Sequence, residues 1–368
     1  MFSKLIEKAE VQFKALKPFV LYRKPLETTV TALFQQDDHL NYVADFTEQG
    51  FVFAPFDSSD KIVLLQIDEK IVAECEREEI HGTAYEMGTE IDHSQKEAHI
   101  RLVQKALEEI QNGTFKKVVI SRKLAVVTQK SAFALFKELL ANYSAAFCYL
   151  WYHPKVGLWL GATPEILLRT ENKQLQTMSL AGTQKYVGID NPIWEKKELE
   201  EQALVTHYIF EALKAEVDQL KISETSSVRA GNLFHLRTSV SGIMKKNTIQ
   251  AIVNALHPTP AVCGLPKKAT KEFILKNENY DRAYYTGFLG ELNFKEQTLR
   301  SGNARNQENQ VYKSIKKTTS LYVNLRCMEL KGVNAFIYVG GGITQDSDPL
   351  KEWEETVAKS TTMLKVVG

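Results

Sequence analysis

Apolar and polar positions alternate most sharply in TFKKVVISRKLAVV, residues 114–127. Period 2 puts Val118, Ile120, Leu124 and Val126 on one face and Lys117, Val119, Ser121 and Lys123 on the other. The pattern predicts a strand with Lys117 at its mouth, on a face that is not all core. Upstream, GFVFAPF (50–56) and KIVLLQI (61–67) read as short strands. Ser94 with Glu97 forms a capping-box pattern, and Ala98, Leu102, Val103, Ala106, Leu107 and Ile110 then recur at helical spacing until Asn112 and Gly113. A helix is expected at 131–141, and strands at 146–153, 157–161, 165–170 and 175–179. The spacing of Leu204, Ile209, Leu213 and Val217 predicts one long amphipathic helix over 194–220. A second helix over 249–255 precedes HPTPAVCGLP (257–266), whose three prolines predict an ordered turn rather than a helix or strand. Residues 321–328 alternate as a single strand, with Tyr322, Asn324, Arg326 and Met328 on one face. AFIYVGGGI follows and runs into a helix capped by Asp348 with Pro349 at its first position. The polar stretch 300–318 is expected to be a mobile loop or a long hairpin tip. No internal repeat and no break in composition marks a linker. One domain of mixed sheet and helices is therefore expected over 1–368, with 1–93 as its scaffold portion.

Composition narrows the partners. With 46 basic and 45 acidic residues the chain has a formal charge of +1, which gives no field to steer a polyanion and argues against nucleic acid or an anionic membrane. A small-molecule substrate fits better. Cys75, Cys148, Cys263 and Cys327 stand singly, so neither a thiolate metal site nor a disulfide framework is suggested, and a reducing compartment is expected. No uninterrupted apolar segment of ~18 residues occurs, and the first residues lack the apolar run of a signal peptide; a cytoplasmic protein is expected.

Several residues could carry chemistry, each beside a plainer role. Lys117 is open to two readings: a stem that runs along the strand with its ammonium in water, or a general base. Glu198 with Glu201, and Glu352 with Glu355, share a helical spacing that sets two carboxylates side by side. A hard divalent cation would relieve that repulsion; so would Lys196, Lys197 or Lys351. Glu165, just after a Gly-Ala-Thr-Pro turn, is either solvated or partly desolvated and able to donate a proton. SLAGT (179–183) and VGGGI (339–343) put glycine at strand ends, as tight turns or as backbone amides that cradle a carboxylate. His257, bracketed by prolines, suits a structural or a catalytic hydrogen bond equally. The GK[ST] ending of a phosphate loop, the spaced glycines of a dinucleotide fingerprint, HxxxH spacing and the GxSxG elbow are all absent.

In order, KVVISR, GATPE, LAGT, KELEEQALV, HPTPAVCG, YVNLR, GGGI and EWEETVAK resemble the chorismate-utilising enzymes, a family that includes isochorismate, salicylate, anthranilate and aminodeoxychorismate synthases. The resemblance covers about residues 94–364. It implies an α+β fold, a single domain with a large, mostly antiparallel layered β core and helices packed outside. Members that use water as nucleophile carry a lysine where this chain has Lys117, whereas anthranilate synthases carry glutamine. Aminodeoxychorismate synthases have a reactive lysine where Ala181 stands. The resemblance thus implies water as nucleophile, no glutaminase subunit, and isochorismate synthase as the first expectation, feeding menaquinone or siderophore synthesis. Salicylate synthase, which also eliminates pyruvate, is the alternative. Lys117 is implied as the base that activates water for attack at C2 of chorismate, and Glu165 as the acid for the departing C4 hydroxyl. Glu201 and Glu355 match magnesium ligands, with Glu198 and Glu352 holding metal-bound waters. Arg326 matches the partner of the enolpyruvyl carboxylate. Gly182, Thr183, Gly340, Gly341, Gly342, His257 and Lys359 are expected in the same pocket. Gln202 stands where the family often has histidine, and Tyr322 and Tyr312 are candidates for a tyrosine beside Arg326. A monomer is expected.

Overall fold

The strand pattern resolves into two sheets in the computed structural model, which describes residues 1–75, 93–186, 192–230, 233–245, 249–298 and 314–368. Helix α1 (Phe2–Lys14) leads into β1 (Phe19–Arg23), β2 (Thr29–Phe34), β3 (Asn41–Tyr42), β4 (Gly50–Ala54), β5 (Val63–Leu65) and β6 (Glu69–Glu74). Then come α2 (His93–Gln111), β7 (Lys117–Val127), α3 (Ala132–Asn142), β8 (Phe147–His153), β9 (Gly157–Thr163), β10 (Ile166–Glu171) and β11 (Gln174–Lys185). Next are α4 (Lys196–Leu213), β12 (Val217–Ile222), β13 (Ser226–Ala230), β14 (Leu233–Met244), α5 (Ile249–Leu256), β15 (Gly264–Leu265) and α6 (Lys267–Asn277). The last elements are β16 (Phe288–Thr298), β17 (Ser314–Val323), β18 (Cys327–Lys331), β19 (Asn334–Ile343) and α7 (Pro349–Val367).

One sheet has the order β15-β7-β19-β18-β9-β8-β1-β2-β6 and the other β12-β14-β11-β10-β17-β16-β4-β5-β3, with β13 beside β14. Neighbouring strands run antiparallel, as in β7 with β19 and β11 with β14. The expected α+β class with a mostly antiparallel β core is what forms. An aromatic layer fills the space where the sheets face each other; there Phe53 stacks on Tyr284 with ring centroids 4.2 Å apart and lies 4.6 Å from Trp151. Helices α1, α3 and α7 bury their apolar stripes on the outside of the first sheet, and α4 and α5 do so on the second. Beneath β7, residues of α2 and α6 pack on Val118 and Ile120. None of the four cysteines is joined in a disulfide. No helix among the described residues is long and apolar enough to cross a membrane.

Three expectations change. The helix expected to reach 220 ends at Leu213, and Val217–Ile222 is instead an edge strand. There the carbonyls of Lys214 and Ala215 accept from Lys245 Nζ, and Val217 is buried beneath α4 and α5, an attachment that a helical period does not register. The proline-rich turn contributes a strand after all: Gly264 and Leu265 pair with Val118 and Lys117. A Cβ at Gly264, whose φ is +137°, would lie 2.3 Å from the Lys117 carbonyl oxygen, so only glycine lets the two backbones meet. The single strand expected over 321–328 is two strands in different sheets, β17 and β18, and Asn324, Leu325 and Arg326 form the crossover. Part of the polar stretch 300–318 is strand from Ser314 onward; the rest, with Tyr312, lies outside the described residues.

Candidate active site

Two crossovers between the sheets run side by side and build one wall of a cavity. The first joins β9 to β10 through Pro164 and Glu165, the second joins β17 to β18 through Arg326, and both residues line the cavity. Val323 N donates to Glu165 O (3.0 Å), Ala162 N to Arg326 O (3.0 Å) and Thr163 Oγ1 to Val323 O (2.6 Å), which locks the crossovers together. Arg326 has φ +46°, a backbone state uncommon for a residue with a side chain.

The opposite wall is acidic. Glu198 and Glu201 on α4 and Glu355 on α7 line the cavity, and Glu352 lies just behind. The glycines of β19 make room for them: a Cβ at Gly341 would lie 3.2 Å from Glu352 Oε2, and one at Gly342 only 2.7 Å from Glu201 Oε1 and 3.0 Å from Lys117 Cε. Lys117 is fully buried, so its ammonium does not sit in water; Nζ lies 2.8 Å from Glu201 Oε1, an ion pair that leaves donor capacity unused. Lys197 Nζ is 2.7 Å from Glu352 Oε1. Lys359 Nζ is 2.6 Å from Glu355 Oε1 and donates to Gly340 O. Lys196 instead pairs with exposed Glu200.

Burial and pairing set the proton affinities. Desolvation raises Glu165 to about 8 against the pull of Lys117 and Arg326, so it holds a proton at neutral pH. For Glu201 desolvation acts in the same upward direction, but Lys117 followed by Lys359 and Lys197 holds it below the ordinary carboxylate value. Glu198 and Glu352 are raised, chiefly by burial, and Oε2 of each is buried without a hydrogen-bond partner. Among the described residues no group of three His, Cys, Asp or Glu side chains is closed up as a metal cage; lysines occupy the gaps. Even so, an all-oxygen set with two orphaned buried oxygens fits a hard cation.

Of the expected pocket residues, Glu165, Gly182, Thr183, Glu198, Glu201, Arg326, Gly340, Gly342, Glu355 and Lys359 line this one cavity, while Lys117, Gly341 and Glu352 stand immediately against its lining. His257 is not brought there. It faces a separate hollow with Asp57 and Lys271, its Nε2 lies 3.2 Å from Pro55 O, and its ring packs edge-on to Phe288. Burial holds it down to about 3, the behaviour of a neutral structural histidine. Tyr322 is also elsewhere, stacked on Phe147 in the aromatic layer.

The residues missed are His235, Tyr285 and Tyr338, which all line the cavity. His235 Nε2 lies 2.6 Å from Arg326 Nη2; a guanidinium only donates, so Nε2 accepts and the ring proton sits on Nδ1, facing Gly182 O at 3.1 Å. Burial, with Arg326 and Lys359 nearby, holds this imidazole well below its usual range, hence neutral. Burial also pulls Arg326 down, to about 10, which leaves it charged at neutral pH. Tyr285 and Tyr338 stack at 5.3 Å, and the Tyr285 hydroxyl lies 3.0 Å from where a Cβ of Gly340 would be. Nothing in the spacing of FHLRT or RAYYTG singles these residues out; the doubled tyrosine before Gly287 was the one available signal. Gln202 takes up the space behind Glu201. Its Oε1 accepts from Ala181 N (2.9 Å), and its Nε2 donates to Ser179 Oγ (2.8 Å), Thr238 Oγ1 (2.9 Å) and Ser179 O (3.2 Å).

Comparison with known proteins gives a consistent picture. Residues 52–313 match a family model for chorismate binding enzyme, and residues 310–365 match a second model of the same description. Isochorismate synthase DhbC of Bacillus subtilis (strain 168) is 28% identical over 288 residues, 72% of this chain and 66% of that protein. Anthranilate synthase component 1 of Acetivibrio thermocellus is 28% identical over 288 residues, 74% of this chain and 53% of that protein. The chain thus spans between about half and two thirds of the length of these relatives. The solved structure of DhbC from Bacillus anthracis has a TM-score of 0.78 at 24% identity, covering 100% of both chains.

Proposed function

The chain belongs to the chorismate binding enzyme family, and on that premise we propose that it is an isochorismate synthase, which isomerises chorismate by adding water at C2 and losing the C4 hydroxyl. The observation that carries this reading is the meeting of Lys117 and Glu165 at one cavity, close enough for the lysine's charge to act on the carboxyl, with Glu165 still protonated at neutral pH. In its free-amine form Lys117 takes a proton from water as the new C2–O bond forms, the ring double bonds shift, and Glu165 gives its proton to the C4 oxygen so that it leaves as water; return of the lysine's proton to solvent and reprotonation of Glu165 reset the site. One water enters and one departs, so no redox partner is needed. Arg326 pairs with the enolpyruvyl carboxylate, and His235 holds the guanidinium from behind. Tyr285 and Tyr338 close the same side.

Glu198, Glu201, Glu352 and Glu355 would hold a magnesium ion, which when bound would grip the ring carboxylate and neutralise part of the acidic wall. Lys197 and Lys359 hold two of those acids in place. Ala181 supports water over a covalent lysine intermediate, since no amine stands there. The chain then acts as a cytoplasmic enzyme without a glutaminase subunit.

Incubation with chorismate and magnesium, followed by chromatography, tests the reading. Isochorismate as sole product is expected. Salicylate with pyruvate would make the protein a salicylate synthase instead, and no consumption of chorismate would remove the proposal.

A further inference from the structure

Further along β7, beyond the cavity, residues 121–123 form the floor of a second hollow walled by the start of α2 and by residues 277–280. None of the acids or bases assigned above is among its walls. Arg122 lies there with its guanidinium 4.3 Å over the Trp353 ring and Nε donating to Thr356 Oγ1 (2.8 Å); among the described residues no carboxylate pairs with it. Lys123 is likewise without an ion pair among the described residues, its ammonium 5.3 Å from the rings of Tyr280 and Phe336. Glu278, the one acid in the walls among the described residues, is fully engaged: it accepts from Ser121 N and Oγ and from Arg282 Nε and Nη2.

One further observation concerns what would enter. His99 is only 5% exposed, lines the hollow, and its ring nitrogens bond no group among the described residues. Burial, with Arg122 nearby, holds it down to about 4, so it is neutral and offers one N–H without adding charge. A nearly buried imidazole whose nitrogens bond no group among the described residues, beside a guanidinium with no carboxylate partner among them, is a donor set lacking its acceptor.

We propose that this hollow binds a small anion through a carboxylate or phosphate group, with Arg122 and Lys123 supplying the charge and His99 a directed hydrogen bond. The planar fork of Arg122, already fixed by Trp353 and Thr356, is pre-set for two oxygens of such a group.

The test is a titration of the full chain carrying 13C-labelled histidine, with inorganic phosphate in one arm and benzoate in the other, followed by NMR. His99, assigned through His99→Phe, is expected to shift saturably, while His257, which lines neither this hollow nor the main cavity, stays put and reports an intact fold. Arg122→Gln should weaken the interaction about tenfold or more; Lys123→Gln, which leaves the Trp353 and Thr356 contacts alone, should weaken it less. A stronger response to phosphate assigns a phosphoryl ligand, and a stronger response to benzoate assigns a carboxylate. Failure of His99 to move in either arm, or a shift untouched by both substitutions, would overturn the proposal.

Discussion

The two walls of the main cavity bury the same functional group and treat it oppositely. On the crossover wall Glu165 has no ammonium at contact distance among the described residues and keeps its proton up to about 8. On the helix wall Glu201 is largely but not fully enclosed, and Lys117 at 2.8 Å keeps it ionised. Burial alone therefore does not decide the state of these two carboxyls; the ammonium at contact distance from Glu201 does, although at Glu352 burial and Glu355 outweigh Lys197. Lys117 reaches Glu201 from 84 positions away in the chain, so the difference is a product of topology and not of local sequence.

Removing the cation should break the contrast most severely. Lys117→Ala takes from Glu201 its contact cation and leaves only the lesser pulls of Lys359 and Lys197, so the cost should approach, without reaching, the ~3–5 kcal/mol of a fully broken buried pair, and it removes the proposed base. Urea unfolding should show the loss of stability, and turnover of chorismate should vanish. Near-wild-type turnover would detach Lys117 from its role.

Glu165→Gln sharpens the contrast from the other side, because an amide replaces a carboxyl that is already neutral. Turnover should drop by about 10²–10⁴ with little loss of fold. The pH dependence has a definite sign. The folded value of Glu165, about 8, lies above its unfolded value near 4.5, so its stabilising contribution is complete below that lower value and is lost as pH rises through 8. The melting temperature of the wild type should therefore fall relative to that of Glu165→Gln between pH 5 and 9. Glu201 is depressed, so its contribution is present above about 4.5 and disappears as pH falls below that; relative to Glu201→Gln, the wild-type melting temperature should hold steady between pH 5 and 9 and fall only below about 4.5. Parallel curves for the two variants would contradict the contrast.

Gln202→Leu should have a smaller effect. It leaves the Ala181 N–H and the Ser179 carbonyl without their partner, at about 1–3 kcal/mol for each group left unsatisfied. Because the lesion lies behind Gly182 rather than at Lys117 or Glu165, KM for chorismate should rise more than kcat falls. Lys196→Ala, on the same helix as Glu201 but 89% exposed, should change neither melting temperature nor kinetics measurably.

Much of the cavity could be read from the sequence because its residues stand in recognisable strings: the β7 lysine, the two acidic helices and the capped start of α7 all sit where pattern and resemblance put them. What escaped reading depends on partners remote in the chain. Residues 321–328 alternate like one strand, and only the second sheet reveals that Arg326 sits on a turn between layers. His235 looks like any strand residue until Arg326 arrives opposite it. His257, held among prolines, has the rigidity expected of a reacting group, yet that rigidity serves the packing of α5 on β16. The 214–222 segment has a helical period but is claimed by the edge of β14.

The first 75 residues carry none of these acids or bases, yet they supply strands to both sheets: β1 covers the backbone of β8, and β4 covers that of β16. A fragment beginning at α2 would retain every reacting group and still present two long rows of unsatisfied amides and carbonyls, one per sheet. Such rows are templates for intermolecular pairing. The opening segment thus protects the remainder from self-association, and a shortened enzyme would be lost to fibrous or amorphous deposits before its chemistry could be measured.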